Sequence, residues 1–380
     1  MIVDILIRNG TVLDPSQHLH GKYDVAVSKG KITGLYKPEV IPADLEPKEI
    51  LDATDAYVTP GLIDIHTHVF EGGTKLGLHA DSVGVRQGVT TVVDAGSSGV
   101  DTFEEFVNKV VNENTTQVLA WINIARDGLQ SGLSELANLE NLASNETIEL
   151  IRQNKLIRGI KVRMSGSVIQ GSGLKPLVIA KIAAREAKVP LMVHVGNAPP
   201  VLGDILDLLE KGDVMTHAFH GKPGGIINPK GELIPQARAA LQRGVLFDIG
   251  HGSASFSFLT MKLAKDLGVK PYSISTDLHK RNIDGPVNSL LSTLSKFIAL
   301  GFPLDEVIEA STLAPARILG LSDEIGTLCI GTVADISVIS IKKDTLVFSD
   351  SDGNELAGKQ LLQPKFTIRA GGLIKNEYGL

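Results

Sequence analysis

Six residues spread through the middle of the chain could together hold metal ions and use them: His66, His68, Lys161, His194, His217 and Asp277. Imidazole nitrogen and carboxylate oxygen are ligands that suit borderline divalent ions such as zinc. Side chains alternate along a strand, so Asp64, His66 and His68 are expected on one face, where the two imidazoles can chelate one ion. Each residue also has a plainer reading. A single histidine at a strand end is more often hydrogen-bonded than metal-bound. A His-x-His pair alone says little, because His18 and His20 form a second one in the polar stretch Pro15-Ser-Gln-His18-Leu-His20-Gly21, which reads as a surface loop. What separates His66 and His68 is company, since four other capable residues end four other apolar runs.

Lys161 is the odd member, because an ammonium repels metals. Its apolar flank, Gly159-Ile-Lys161-Val162, would lower its pKa by desolvation. The neutral amine could then add carbon dioxide and become a carbamate, an anionic ligand able to bridge two ions. A snorkelling or ion-paired lysine is the alternative, and the strand alone does not decide.

Something must carry these residues to one place. Apolar β-type runs occur at 61–68, 89–95, 118–124, 158–164, 190–195, 213–217, 245–249 and 272–276. Apolar residues on consecutive positions are the mark of strands buried on both faces. Helical periodicity fills the gaps at 102–111, 146–153, 177–187, 201–210, 235–243 and 257–267. Eight strands alternating with helices predict an α/β fold, a (β/α)8 TIM barrel, with an open doubly wound sheet as the rival. The chemically capable residues stand at the C-terminal ends of the runs, where such barrels place their active sites.

The two chain ends read differently. Short alternating stretches surround Asn9-Gly10, the dipeptide of a tight hairpin, and Lys29-Gly30. The β-rich stretches 334–341 and 365–374 flank a polar turn at 350–354. The expected layout is therefore a small β-sandwich module built from both termini, residues 1–58 and 325–380, around a barrel at 59–324. Aromatic residues are only 4% of the chain, so the cores must be mostly aliphatic. A net charge of −6 without a Lys/Arg cluster argues against a nucleic-acid partner. The short, charged N-terminus and the lack of a long apolar run argue against secretion and membrane insertion. A lone cysteine, Cys329, suits a reducing cytoplasm.

With its flanking text, the ligand set resembles the binuclear metal-dependent amidohydrolase superfamily, specifically its dihydroorotase-like and hydantoinase-like branch. Pro60-Gly-Leu-Ile-Asp-Ile-His66-Thr-His68 looks like that family's first-strand signature, and Gly326-Thr-Leu-Cys-Ile-Gly331-Thr-Val-Ala-Asp335 like its return to the β module. The resemblance covers nearly the whole chain. It implies two divalent ions, usually zinc, with His66, His68 and Asp277 on one, His194 and His217 on the other, and carboxylated Lys161 between them. It further implies attack by a hydroxide shared by the two ions, with Asp277 as the proton carrier.

Departures from the family narrow the substrate. Related dihydroorotases carry an arginine where this chain has Phe70, nucleobase deaminases a glutamate at Asn197, and binuclear adenine deaminases a bridging glutamate at Lys161. The text Lys161-Val-Arg163-Met, Asp248-Ile-Gly-His251-Gly and Ser275-Thr-Asp277 is similar to an acyl-hydrolase subgroup often labelled dihydroorotase or adenine deaminase. Arg163 shares a strand face with Lys161 and could pair with a substrate carboxylate or with a carboxylate on the barrel rim. His251, Asn123, His220, Arg281 and Asn282 lie near other strand ends as further candidates for substrate contact. The expected reaction is hydrolysis of an amide or ester in a small carboxylate-bearing molecule, an N-acyl amino acid or O-acyl hydroxy acid. Cyclic amide hydrolysis comes second and adenine-type deamination third. A scaffold homologue without catalysis would show substituted ligands, and none is substituted. Relatives of this kind commonly form homo-oligomers.

Overall fold

The computed structural model describes residues 1–375, so the last five residues of the C-terminal piece anticipated at 325–380 lie outside the described residues. The chain enters through seven strands: β1 (Ile2–Arg8), β2 (Thr11–Asp14), β3 (Leu19–Lys22), β4 (Asp24–Ser28), β5 (Lys31–Tyr36), β6 (Glu46–Asp52) and β7 (Ala56–Pro60). The central domain follows with β8 (Leu62–Thr67), β9 (Val89–Ala95), β10 (Gln117–Asn123), β11 (Ile157–Met164), β12 (Leu191–Val195), β13 (Val214–Thr216) and β14 (Leu246–Phe247). The chain leaves through β15 (Ile336–Ser349), β16 (Glu355–Arg369) and β17 (Gly372–Lys375).

The terminal strands form two sheets, ordered β5-β4-β1-β6 and β17-β16-β15-β7-β2-β3. Ile5, Ile7, Val25, Val27, Val58, Ile336, Val338 and Ile368 fill the space between them, so the module is a sandwich built from both ends of the chain. Asn9-Gly10 does not turn a hairpin. β1 pairs with β4 and β6, whereas β2 pairs with β3 and β7, so the dipeptide carries the chain from one sheet to the other. The left-handed conformation of Asn9 (φ 67°) serves a corner between sheets as well as a hairpin. His20 lies in the edge strand β3 rather than in a loop, though both it and His18 are exposed as expected.

In the central domain, β8 to β14 lie side by side in chain order, all parallel. The eighth run makes no regular ladder, yet it closes the ring. Tyr272 N donates to Phe247 O at 2.8 Å and His251 N to Ser275 O at 3.1 Å on one side. On the other, Asp277 N donates to His66 O at 2.7 Å and His68 N to Leu278 O at 2.8 Å. This run is rich in Ser and Thr, whose hydroxyls bond the buried carboxylates Asp64 and Asp248. Side-chain bonds there supplement sparse backbone pairing.

The inner side of the barrel is apolar toward the N-terminal strand ends, where Ile63, Ile65, Leu119, Trp121, Met192 and Val214 pack together. The Trp121 indole N–H, which would be costly to bury alone, donates to Ile65 O at 2.9 Å. Polar side chains are thereby left to the opposite end. Five helices match the expected periodic stretches: Ser144–Gln153, Lys175–Ala187, Leu202–Leu208, Pro235–Arg243 and Phe258–Asp266. The 102–111 stretch divides into an α turn, Phe103–Phe106, and a π turn, Val107–Val111. Helices at Leu290–Ala299, Leu304–Glu309 and Leu313–Ile318 follow the eighth run. Among the described residues, no helix is long and apolar enough to cross a membrane.

Candidate metal centre

All six predicted ligands stand at the mouth of the barrel. His66 is the penultimate residue of β8 and His68 lies just beyond it, with Lys161 inside β11, His194 in β12, His217 just past β13 and Asp277 past the eighth run. The Asp277 carboxylate is shared out among the imidazoles. Its Oδ1 lies 3.3 Å from His66 Nε2 and 3.2 Å from His68 Nε2, while Oδ2 lies 3.9 Å from His217 Nε2. Lys161 Nζ is 3.0 Å from His66 Nε2. His194 packs edge-on against His217, with ring centroids 4.4 Å apart. One ligand atom from each of His66, His217 and Asp277 lies within 4.8 Å of the others.

Two of these residues adopt left-handed backbone, His217 at φ 65° and Asp277 at φ 52°. Such conformations are uncommon outside glycine and cluster where a site over-determines the chain. Asp64, expected on the face of His66 and His68, lies outside the cluster of His66, His217 and Asp277, and the pairing of β8 with β9 slips between Asp64 and Thr67. Its carboxylate instead accepts from the backbone N–H of His66 at 3.2 Å and of Thr276 at 3.1 Å. Burial pushes it up to about 7.

The protonation of two rings follows from their partners. The Thr216 hydroxyl has one proton, and it points to the buried acceptor Asp248 Oδ2 at 2.7 Å. The His66 Nδ1, 2.8 Å from that hydroxyl oxygen, must therefore be the donor, which leaves Nε2 as a lone pair facing Lys161 Nζ. His217 Nδ1 faces the carbonyl of Gly250 at 2.5 Å, and a carbonyl only accepts. Its Nε2 is again a lone pair, fully buried, with no hydrogen-bond partner. An orphaned buried acceptor aimed into a cluster of imidazoles and a carboxylate is what an ion-binding centre presents. The donor set fits a divalent metal.

The charge states agree. Burial draws the His66 and His194 imidazoles well below their usual range and His217 down to about 3, so all three are neutral. Burial also draws the Lys161 ammonium down to about 7. At Asp277 burial works upward, yet the carboxyl is held well below its ordinary value, with the hydrogen bond from the His68 ring favouring the carboxylate.

Above the cluster opens a cavity of about 220 Å³. His68, His194 and Asp277 form its floor, Leu76, Leu129 and Leu133 its apolar wall, and Arg163, Ser253, His279 and Arg281 its polar side. A larger groove of about 700 Å³ runs between Ile298, Ala299 and the β15–β16 hairpin, far poorer in catalytic groups.

The substrate candidates divide. Arg163 reaches the cavity, but its Nη1 already holds both oxygens of buried Glu135, at 3.0 and 3.2 Å. Arg281 also reaches it, and its guanidinium makes no ion pair among the described residues. Asn123 is turned to the backbone, donating to Gly96 O at 3.0 Å and accepting from Ala125 N at 2.9 Å. Asn282 likewise donates to Asp277 O at 2.8 Å and accepts from His279 N at 2.9 Å. His251 is fully buried with both ring nitrogens occupied, and His220 accepts from Lys222 N at 3.1 Å through its Nδ1. Neither lines the cavity. Phe70 is a core residue stacked edge-on against Phe106, 5.3 Å between centroids.

Ser253 and His279 escaped the sequence reading. His279 sits two residues past Asp277, the interval that separates His66 from His68, and that spacing was a usable signal.

A closed parallel barrel with neutral imidazoles, a buried lysine and an aspartate at the C-terminal strand ends defines the class of metal-dependent barrel hydrolases. The amidohydrolase family profile matches residues 57–359, and the chain belongs to the amidohydrolase family, whose members generally depend on two metal ions. A protein named deacetylase from Enterococcus faecalis is 37% identical, covering 99% of this chain and 100% of its own length. A deacetylase from Brucella anthropi is 35% identical over 93% of this chain and 88% of its own. A crystal structure described as an adenine deaminase superposes with a TM-score of 0.92 at 36% identity, covering 98% of this chain and all of that one.

Proposed function

We propose that this protein hydrolyses an amide or ester bond in a small carboxylate-bearing molecule, an N-acyl amino acid or an O-acyl hydroxy acid. The observation that carries the reading is a lone-pair-bearing, partnerless His217 Nε2 buried beside the cavity-lining His194 and Asp277, together with Arg281, which lines the same cavity and makes no ion pair among the described residues. Residues 59–324 supply the reacting groups, and the terminal pieces 1–58 and 325–380 supply their buttress.

His66, His68 and Asp277 would hold one divalent ion, His194 and His217 a second, and carboxylated Lys161 would stand between them; these nitrogen and oxygen donors suit zinc. Such a pair of ions lowers the pKa of a shared water toward about 7 and polarises the substrate carbonyl. The remaining work belongs to side chains. Asp277, ionised and aimed between the histidines, accepts the proton of the attacking water and delivers it to the leaving nitrogen or oxygen. Arg281 pairs with the substrate carboxylate, and Leu76, Leu129 and Leu133 receive its apolar part.

A hydrolysis screen of N-acyl and O-acyl carboxylic acids of both chiralities, beside dihydroorotate, hydantoins and adenine, tests the reading. Turnover of adenine alone would overturn it, and the name of the solved relative makes that arm worth running. Arg281→Gln is expected to raise KM for carboxylate substrates about 10- to 100-fold, the scale of a lost charge-assisted hydrogen bond. KM for the matching uncharged amide should move little. Equal losses for both would remove Arg281 from carboxylate recognition.

A further inference from the structure

Several observations converge on the loop Gly250–Gly252, beside the cluster at the barrel mouth. Gly250 and Gly252 flank His251 at φ 49° and 57°, and both are wedged among the ligands. A Cβ at Gly250 would stand 2.9 Å from His217 Nδ1, and one at Gly252 would stand 2.7 Å from Asp277 Oδ2. Gly250 also supplies the carbonyl that orients the His217 ring. The position of this loop therefore sets the direction of one imidazole and the room left to the carboxylate.

Two groups hold the loop. From the helix that follows the eighth run, Leu290–Ala299, Lys296 donates to His251 Nε2 at 2.8 Å and to Pro286 O at 2.6 Å. Lys296 is 1% exposed and no acid pairs with it among the described residues, so an expensive buried amine is spent on fixing one imidazole. The other is the tip of the β15–β16 hairpin, part of the terminal module. Ser351 Oγ lies 2.9 Å from Gly252 O and 3.2 Å from His251 O, and Ser351 N donates to Phe256 O at 3.0 Å. Beside it, Asp350 Oδ2 accepts from Phe258 N at 2.9 Å, the first residue of helix Phe258–Asp266.

We infer that the hairpin tip is a positioning element of the reacting centre, with Ser351 and Lys296 clamping Gly250–Gly252 so that His217 and Asp277 are held in their working orientations. The inference rests on the proposed metal centre. It explains why the module contributes an antiparallel hairpin far longer than its own sandwich needs.

The test is Ser351→Ala in the full-length protein, with Ser351→Thr as the hydroxyl-retaining control and Lys296→Gln probing the other side of the clamp. Cobalt-loaded proteins are compared by visible absorption, by metal affinity in chelator competition, and by kcat and KM. Losing a hydroxyl that orients a ligand's partner is expected to lower kcat or metal affinity about 10-fold or more. KM should stay within about twofold, the cobalt spectrum should change, and Ser351→Thr should restore both. Should Ser351→Ala fail to fold, Lys296→Gln carries the same expectation. An unchanged spectrum and kcat, even with a lowered Tm, would make the hairpin mere scaffolding and overturn the inference. A parent protein that takes up no metal would overturn the metal centre as well, a result separable from an unchanged spectrum.

Discussion

Replacing Asp277 with asparagine is expected to reduce kcat by at least about 10²-fold while metal content stays near that of the parent. The size follows from what is removed. An amide keeps an oxygen to face His66 and His68 at the same distance as the carboxylate, but it cannot accept a proton at neutral pH. Asparagine also tolerates the left-handed backbone at this position, φ 52°, so the barrel rim should survive the exchange. Asn282, which donates to the carbonyl of residue 277, is untouched. Metal analysis beside steady-state kinetics gives the readout. Turnover near the parent level would take Asp277 out of proton transfer.

Lys161→Met is expected to lower bound metal from near two ions per chain to one or fewer, and turnover by at least about 10²-fold. One ion's polarising effect is worth several kcal/mol, and each 1.4 kcal/mol is about a factor of ten. Methionine matches the length and apolar stem of this 1%-exposed side chain, and it removes the ammonium that burial disfavours. Stability should therefore hold while the ligand disappears. The amine's displacement to about 7 has a consequence for the parent protein: above that pH the nitrogen is free to add carbon dioxide, below it the ammonium is not. Two ions and ordinary turnover in the methionine variant would show that Lys161 bridges nothing.

The barrel and the cluster of polar side chains at its mouth were legible for a shared physical reason. Strands buried on both faces leave uninterrupted apolar runs, and a polar residue at the end of such a run, as with Lys161 or His194, stands out against them. The eighth strand was visible as a run although its backbone pairing is irregular, because the pattern records burial rather than hydrogen bonding. What escaped depends on contacts distant in sequence. The Glu135 partner of Arg163 sits outside the strands and helices, in a loop whose path no periodicity encodes. Asn123 and Asn282 occupy strand-end positions like the ligands, yet unpaired backbone groups nearby claim their amides. The length of the β15–β16 hairpin was hidden because its outer part, 342–347, is mostly exposed and lacks an apolar alternation. Asn9-Gly10 showed that a turn dipeptide fixes a change of direction, not the identity of the strands it joins.

Anomalous diffraction from crystals of the purified protein, with X-ray fluorescence to identify the element, bears most directly on the proposed centre. Two peaks about 3.5–4 Å apart are predicted, one beside His66, His68 and Asp277 and the other beside His194 and His217, with density extending from Lys161 Nζ between them. No peak at the barrel mouth, or a plain Lys161 ammonium turned away from both histidine groups, would contradict it.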